Sequence, residues 1–264
     1  MNHLPSLDEI LQKSQLPALD GFRMIAVISV VLFHANIGGF FFTARHGVAG
    51  FFVLSGFLIT WLLLKEHRMT GHISLKDFYY RRSLRIFPAY YTFVALTISW
   101  DLFRGNSEIR EFILPSIFYY VNYHNAINGH TAASVTHLWS LAIEEQFYLI
   151  WPLLLIFMLK PGKKSVINFL AGIIVLVMIW RSVAISILGL GQDWAYNSFD
   201  TRIDNLATGC LLAMLIEKRK VQEILQFISS KPWMPIVTVA LLSMSRAITS
   251  FHYEYGPAFS IDAV

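Results

Sequence analysis

The chain has 264 residues, of which 55% are hydrophobic and only 14% charged, with a formal net charge of +4. A soluble domain carries about 25% charged residues, so this composition excludes an ordinary water-soluble globule and points to the bilayer as solvent. The small basic excess is better assigned to loop lysines and arginines that orient spans than to a nucleic-acid surface.

In chain order, residues 1–18 are polar and lack both a basic n-region and a cleavage site. They read as a cytoplasmic N-terminal segment, not a signal peptide. From residue 19 to 264 the sequence reads as one transmembrane domain, expected to stop short of a complete bundle. Apolar runs recur at roughly 22–42, 47–64, 86–103, 138–159, 165–188, 203–216 and 233–251. Runs near the length that crosses a bilayer predict helices, so the fold class is all-α, a polytopic bundle with about seven spans. The alternating stretches of about ten residues that build a membrane β-barrel do not occur. Segment 111–127 is apolar but short and contains Pro115, and is expected to be re-entrant or interfacial.

Basic residues sort to one side. Lys65, Arg68, Lys76, Arg81, Arg82 and Arg85 fall between the second and third runs, Lys160, Lys163 and Lys164 after the fourth, and Lys218, Arg219, Lys220 and Lys231 after the sixth. If these loops are cytoplasmic, the first span starts inside and the loops near 40–47, 104–137 and 189–202 lie outside. The expected location is therefore a bacterial inner (plasma) membrane, multi-pass, with a cytoplasmic N-terminus. The lone Cys210 excludes an internal disulfide and reads as packing.

Four places carry ionisable residues that a simple anchor does not need. In "LDGFRMIAVISVVLFHA" (19–35), Arg23 and His34 are eleven residues apart. At about 100° per residue they share one helix face, separated by about 16 Å along the axis. In "HLWSLAIEEQFYLIWP" (137–152), Glu144 and Glu145 begin a long apolar helix. Adjacent carboxylates cannot share a face, so one is expected to point into the bundle and the other elsewhere. His137 lies seven residues before Glu144 and falls on its face if the helix extends back that far. A buried carboxylate near a histidine is the arrangement that orients a general base. In "TRIDNLATGC" (201–210), Arg202 and Asp204 stand at an outer helix end, where a capped surface start and a substrate-facing role are equally open. In "FYYRRSLRIFPAYY" (78–91), Arg82 and Arg85 at i, i+3 are neighbours able to grip phosphates, against a plain positive-inside reading. His124, His130 and His137 lack metal-ligand spacing, and no metal is expected.

Five segments in order, the four above and "HGVAGFFVLSGFLIT" (46–60), make the chain resemble the membrane-bound acyltransferase-3 family, which O-acylates cell-surface sugars and related acceptors. The resemblance implies a bundle of about ten helices that takes an acyl group, acetyl in the expected case, from cytoplasmic acyl-CoA to an outside hydroxyl. It implies His34 as catalytic base or acyl relay, with Glu144 or Glu145 as the family glutamate and Glu144 favoured. It further implies Arg82 and Arg85 as the CoA grip; from their places in the chain, Arg23 is read as joining that grip and His137, Arg202 and Asp204 as the acceptor side. Ala49 stands where many members have an aspartate, so no role for that carboxylate carries over. The expected partners are acyl-CoA, a cell-envelope glycan or exported sugar, and the lipid bilayer, without nucleic acid. The competing readings are a transporter with an intramembrane His/Glu relay and an inactive fragment.

Overall fold

The computed structural model describes residues 17–34 and 44–231, together with 233, 234 and 237; side chains are described for these except 17, 18, 20, 29, 33, 34 and 44–46. All regular structure among them is helical. The elements are α1 (Pro17–His34), α2 (Ala44–Thr70), α3 (Leu75–Phe103), α4 (Ile109–Ile117), α5 (Val121–Asn128), α6 (Trp139–Leu159), α7 (Lys163–Ser186), α8 (Gln192–Asn197), α9 (Ile203–Leu215) and α10 (Arg219–Ser229). Two 3₁₀ turns, Thr136–Leu138 and Phe199–Thr201, lead into α6 and α9.

Four of the described helices are long and apolar enough to cross a membrane: Gly47–Thr70, Leu75–Phe103, Thr136–Leu159 and Lys163–Ser186. Large apolar side chains on their outer faces, such as Leu96, Phe103, Leu149, Phe157 and Leu176, are exposed, as lipid-facing residues must be. This is a polytopic helical bundle. The run at 22–42 appears as α1 up to residue 34, and the run at 233–251 lies outside the described residues apart from 233, 234 and 237. The run at 203–216 forms a helix of only 13 residues. At 1.5 Å per residue it is about 20 Å long, less than the hydrocarbon core of about 30 Å. Its N-terminal end is instead continued by the polar turn 198–202.

Segment 111–127 forms no span, as its length predicts. Pro115 lies near the end of α4 and Tyr119 takes a positive φ of 54°, so the chain turns into α5. The carbonyls left open at the end of α4 are taken up by α3: Tyr90 donates to Ser116 O (2.7 Å) and Tyr91 to Ile117 O (3.2 Å).

At the other end of α3, Ser74 is the N-cap, its hydroxyl accepting from the Asp77 N–H (3.3 Å), and Asp77 favours the positive end of the helix dipole.

The centre of the bundle is the α2–α9 contact, and glycine makes it possible. A Cβ on Gly56 would collide with the Leu206 carbonyl oxygen, and one on Gly209 with the carbonyl oxygen of Val53. The two backbones therefore touch, the close approach that small residues permit between membrane helices. The Cys210 thiol donates to Gly56 O (3.4 Å) across the same contact. The thiol is fully buried, consistent with a packing role. Against the other side of α2 packs α6, where Trp151 Nε1 donates to the Thr60 hydroxyl (2.8 Å).

Candidate active site

On α6, residues 144, 148, 151 and 155 recur at i, i+4, i+7 and i+11, one helical stripe, and all four are buried. That stripe turns Glu144 towards α2, where Ser55 donates to Glu144 Oε1. Glu145, about 100° further round, faces α3 and pairs with Arg82 (Nη2–Oε1 3.1 Å). The two carboxylates thus have separate partners, as adjacency on a helix requires. The Arg82 guanidinium also lies over the Tyr148 ring, 3.2 Å from its centroid, and its Nε is buried without a hydrogen-bond partner. Arg23 of α1 and Arg82 both interact electrostatically with Glu144. Residues from α1, α2, α3 and α6 therefore converge on one charged cluster: Arg23, Ser55, Arg82, Glu144, Glu145 and Tyr148.

Of the two arginines at i, i+3, only Arg82 joins this cluster; Arg85 is exposed. Their shared helix side does not give them shared surroundings, because α3 packs on the bundle along one edge. His137 lies in the 3₁₀ turn before α6, is exposed, and sets its ring edge against Phe93 (centroids 5.6 Å apart). The structure thus gives His137 a neighbour on α3 and Glu144 neighbours on α2 and α1. His34 is the last residue of α1, and its side chain lies outside the described residues.

Between Arg23 and His34 along α1 runs a cavity of about 200 Å³. Ala26, Val27, Val30 and Val31 of α1 form one wall, Gly47, Val48 and Phe51 of α2 another, and Ser140 of α6 is the only hydroxyl among the described lining residues. An apolar cavity of this kind suits an uncharged group and, with one hydroxyl in its described lining, solvates an ion poorly.

Arg202 and Asp204 are completely buried, so neither belongs to a surface helix start. The Arg202 guanidinium lies among three rings, 5.5 Å from Tyr196, 5.6 Å from Phe52 and 5.9 Å from Trp139. Trp139 meets Phe52 edge-on and Tyr196 at a tilt, so the rings form a cage from α2, α6 and α8. Phe52 is one helical turn from Ser55, which brings the cage next to the charged cluster. Asp204 has a different neighbour: it pairs with Arg181 of α7 (2.6 Å), whose Nε also donates to Thr201 O (2.8 Å). Asp200 accepts from Trp180 Nε1 (2.6 Å) and from the Ser198 hydroxyl. These bonds pin the turn that carries Arg202 against α7.

Sequence reasoning missed Ser55, Arg181, Tyr148 and the aromatic cage. Arg181 had a readable signal, a lone arginine inside an apolar run, which is costly in a membrane without a partner. The rings had none, since Trp and Tyr in a membrane chain read first as interface belts. Among the described residues, no group of three or more His, Cys, Asp or Glu side chains is placed to hold a metal ion.

The family model described as an acyltransferase domain matches residues 16–262. The peptidoglycan O-acetyltransferase OatA of Listeria monocytogenes serovar 1/2a is 32% identical over 263 residues, covering 93% of this chain and 41% of the relative. The O-acetyltransferase OatA of Staphylococcus aureus strain NCTC 8325 is 34% identical over 222 residues, covering 79% of this chain and 36% of the relative. The chain thus spans about two fifths of the length of the curated relatives it matches. No solved structure matches it. On the family match across nearly its whole length, the chain belongs to the acyltransferase-3 family.

Proposed function

We propose that the chain is the membrane part of an O-acetyltransferase that moves an acetyl group from cytoplasmic acyl-CoA to a hydroxyl of a cell-wall glycan. The observation that carries this reading is the order of features along α1: a charged cluster at Arg23, an apolar cavity beside Ala26 to Val31, and His34 at the far end. The relatives named for O-acetyl transfer, one of them to peptidoglycan, support the acceptor class.

The basic loops set the membrane orientation, with α1 running outwards from the cytoplasmic side. CoA, an anion, binds at the basic side with Arg23, Arg82 and Arg85 as its cationic contacts. The thioester, which is neutral, extends into the apolar cavity. His34 takes the proton of the acceptor hydroxyl while its oxygen attacks the thioester carbonyl. The C–O ester bond forms, the C–S bond breaks, and the proton ends on the CoA thiol. Glu144, fixed by Ser55, holds Arg23 at the donor end, and Arg202 with its rings forms the wall nearest the acceptor. His137, exposed beside Phe93, contributes on the acceptor side, and Asp204 positions Arg202 through the α7–α9 pair.

Protein in sealed vesicles, given radiolabelled acetyl-CoA on the basic side and glycan fragments on the other, tests the reading. Label should appear as alkali-labile ester on the glycan with release of free CoA, and His34→Ala should abolish it. Unchanged transfer in His34→Ala overturns the role of His34. Absence of transfer together with His34-dependent ion flux favours the relay reading instead.

A further inference from the structure

A second cavity, of about 290 Å³, opens at the basic end of the bundle, away from the charged cluster and from α1. It lies between the end of α2, the α2–α3 turn and the end of α6. Ile73, Ile156 and Leu159 form its apolar part, and His67, His72 and Lys160 its polar part. The turn is tight: Gly71 takes φ +77° and its N–H caps the His67 carbonyl (2.9 Å). The His72 ring sits with Nδ1 3.2 Å from Thr70 O; with Nδ1–H donated there, the imidazolium form offers a second donor, Nε2–H, to an anion.

The acids around this cavity are already engaged. Glu66 accepts from the Ser74 N–H (2.9 Å) and faces Arg81 (3.5 Å). Glu217 is held by Lys163 (2.6 Å) and by Arg68. Those pairs tie the ends of α2 and α7 to the end of α9 and fix the cavity walls. Lys160, beside the ring of Phe157 (4.7 Å), has no acidic partner among the described residues, and neither has His67 or His72. The cavity therefore presents uncompensated donors above an apolar floor, at the end of membrane-spanning helices.

We propose that this pocket binds an anionic phospholipid of the leaflet facing the basic loops. His67, His72 and Lys160 receive its phosphate, and Ile73, Ile156 and Leu159 receive the first part of an acyl chain. The chemistry it selects is a phosphate ester joined to a hydrocarbon. A soluble phosphate would leave the apolar floor wet, and a zwitterionic phospholipid would bring its own ammonium against the three donors. The inference uses the orientation given by the basic loops and is independent of the acyl-transfer chemistry, since none of its residues belongs to the charged cluster.

The test is thermal unfolding of the full chain in detergent, titrated with phosphatidylglycerol, phosphatidylcholine, inorganic phosphate or CoA. Phosphatidylglycerol should raise the unfolding temperature of the wild type in a saturable way. A Lys160→Gln, His67→Gln double variant should need about tenfold more of it, the loss expected for removing charge-assisted hydrogen bonds. Phosphatidylcholine should give a markedly smaller rise. Native mass spectrometry then counts retained lipid, a readout that stands even if the double variant is less stable. An Ile156→Ala variant, which shortens the floor and leaves the donors, should also retain less lipid. Equal response of wild type and double variant overturns the proposal. So does a rise with inorganic phosphate or CoA that displaces the lipid, which would make the site one for a soluble anion. Failure of acetyl transfer leaves these outcomes unchanged, so the two readings fail separately.

Discussion

The Gly56–Leu206 contact makes a quantitative demand on the fold. Adding one methyl group at Gly56 places a Cβ inside the van der Waals radius of a backbone oxygen, and backbone cannot swing aside as a side chain does. The helices must part by on the order of 1 Å before the overlap is relieved. Overpacking of this kind costs about 1–3 kcal/mol, which corresponds to a fall of about 2–10 °C in unfolding temperature. The same displacement separates Phe52 and Ser55 on α2 from Arg202 in the turn before α9 and from Glu144 on α6, and misplacement by about 1 Å at a reacting site costs about a hundredfold in rate. Gly56→Ala should therefore lower both thermal stability and acetyl transfer. The matched control is Gly172→Ala on α7, where an added Cβ meets nothing within 4 Å. That change should be neutral or stabilising by up to about 1 kcal/mol, because alanine is the better helix former. Unfolding by differential scanning fluorimetry and label transfer, measured on both variants, decide the matter. Wild-type stability and rate in Gly56→Ala, or equal damage from Gly172→Ala, would refute the reasoning.

Arg181→Met removes a buried ion-pair partner of Asp204 and should destabilise by about 3–5 kcal/mol, while Arg181→Met with Asp204→Leu should recover most of the loss, read by denaturation in detergent. A double-mutant cycle of Arg82→Gln and Glu145→Gln should return a coupling energy of about 1–3 kcal/mol; additive effects would mean that the ion pair contributes nothing. Val30→Phe fills part of the cavity beside α1 and should lower kcat more for longer acyl donors than for acetyl, with donor KM little changed. His124, on α5 outside the spans, has a buried Nδ1 without a partner, and burial lowers its pKa, partly offset by Glu111. The unfolded chain then takes the proton first, so stability is full above about pH 6.5 and declines as the pH falls below that value. His124→Leu should flatten that decline in a series of unfolding temperatures.

Much of the fold was legible because apolar periodicity is local: the four long helices fall on expected runs, and Pro115 marks the break of segment 111–127. The sixth run gives a helix of only 13 residues, since hydropathy counts apolar residues and does not see the bonds of Arg181 to Thr201 and Asp204 that hold a polar turn inside the bundle. At the candidate site, residue type was legible and partnership was not. Spacing joined Arg82 to Arg85, whereas the structure joins Arg82 to Glu145, 63 residues away. Spacing joined His137 to Glu144, whereas a 3₁₀ turn carries His137 out to the surface. Helix geometry ranks neighbours within one helix, but which edge of that helix meets the bundle is decided by distant residues, here Glu145 and Tyr148 of α6 against Arg82.

The same geometry explains why charge and apolar space alternate along α1. A cation at a membrane helix is costly unless an anion shares its surroundings, and Glu144 lies within electrostatic reach of Arg23. One to two turns further on, Ala26, Val27 and Val30 face a cavity with no second anion among its described lining residues. A CoA thioester has the same division, with charge confined to its phosphates and a neutral acyl end. Under the transfer reading, the cluster holds the charged part back while the cavity admits only the uncharged part. Selection for acyl transfer, and against leakage of ions, then follows from a single helix whose charged residue sits at one end of an apolar wall.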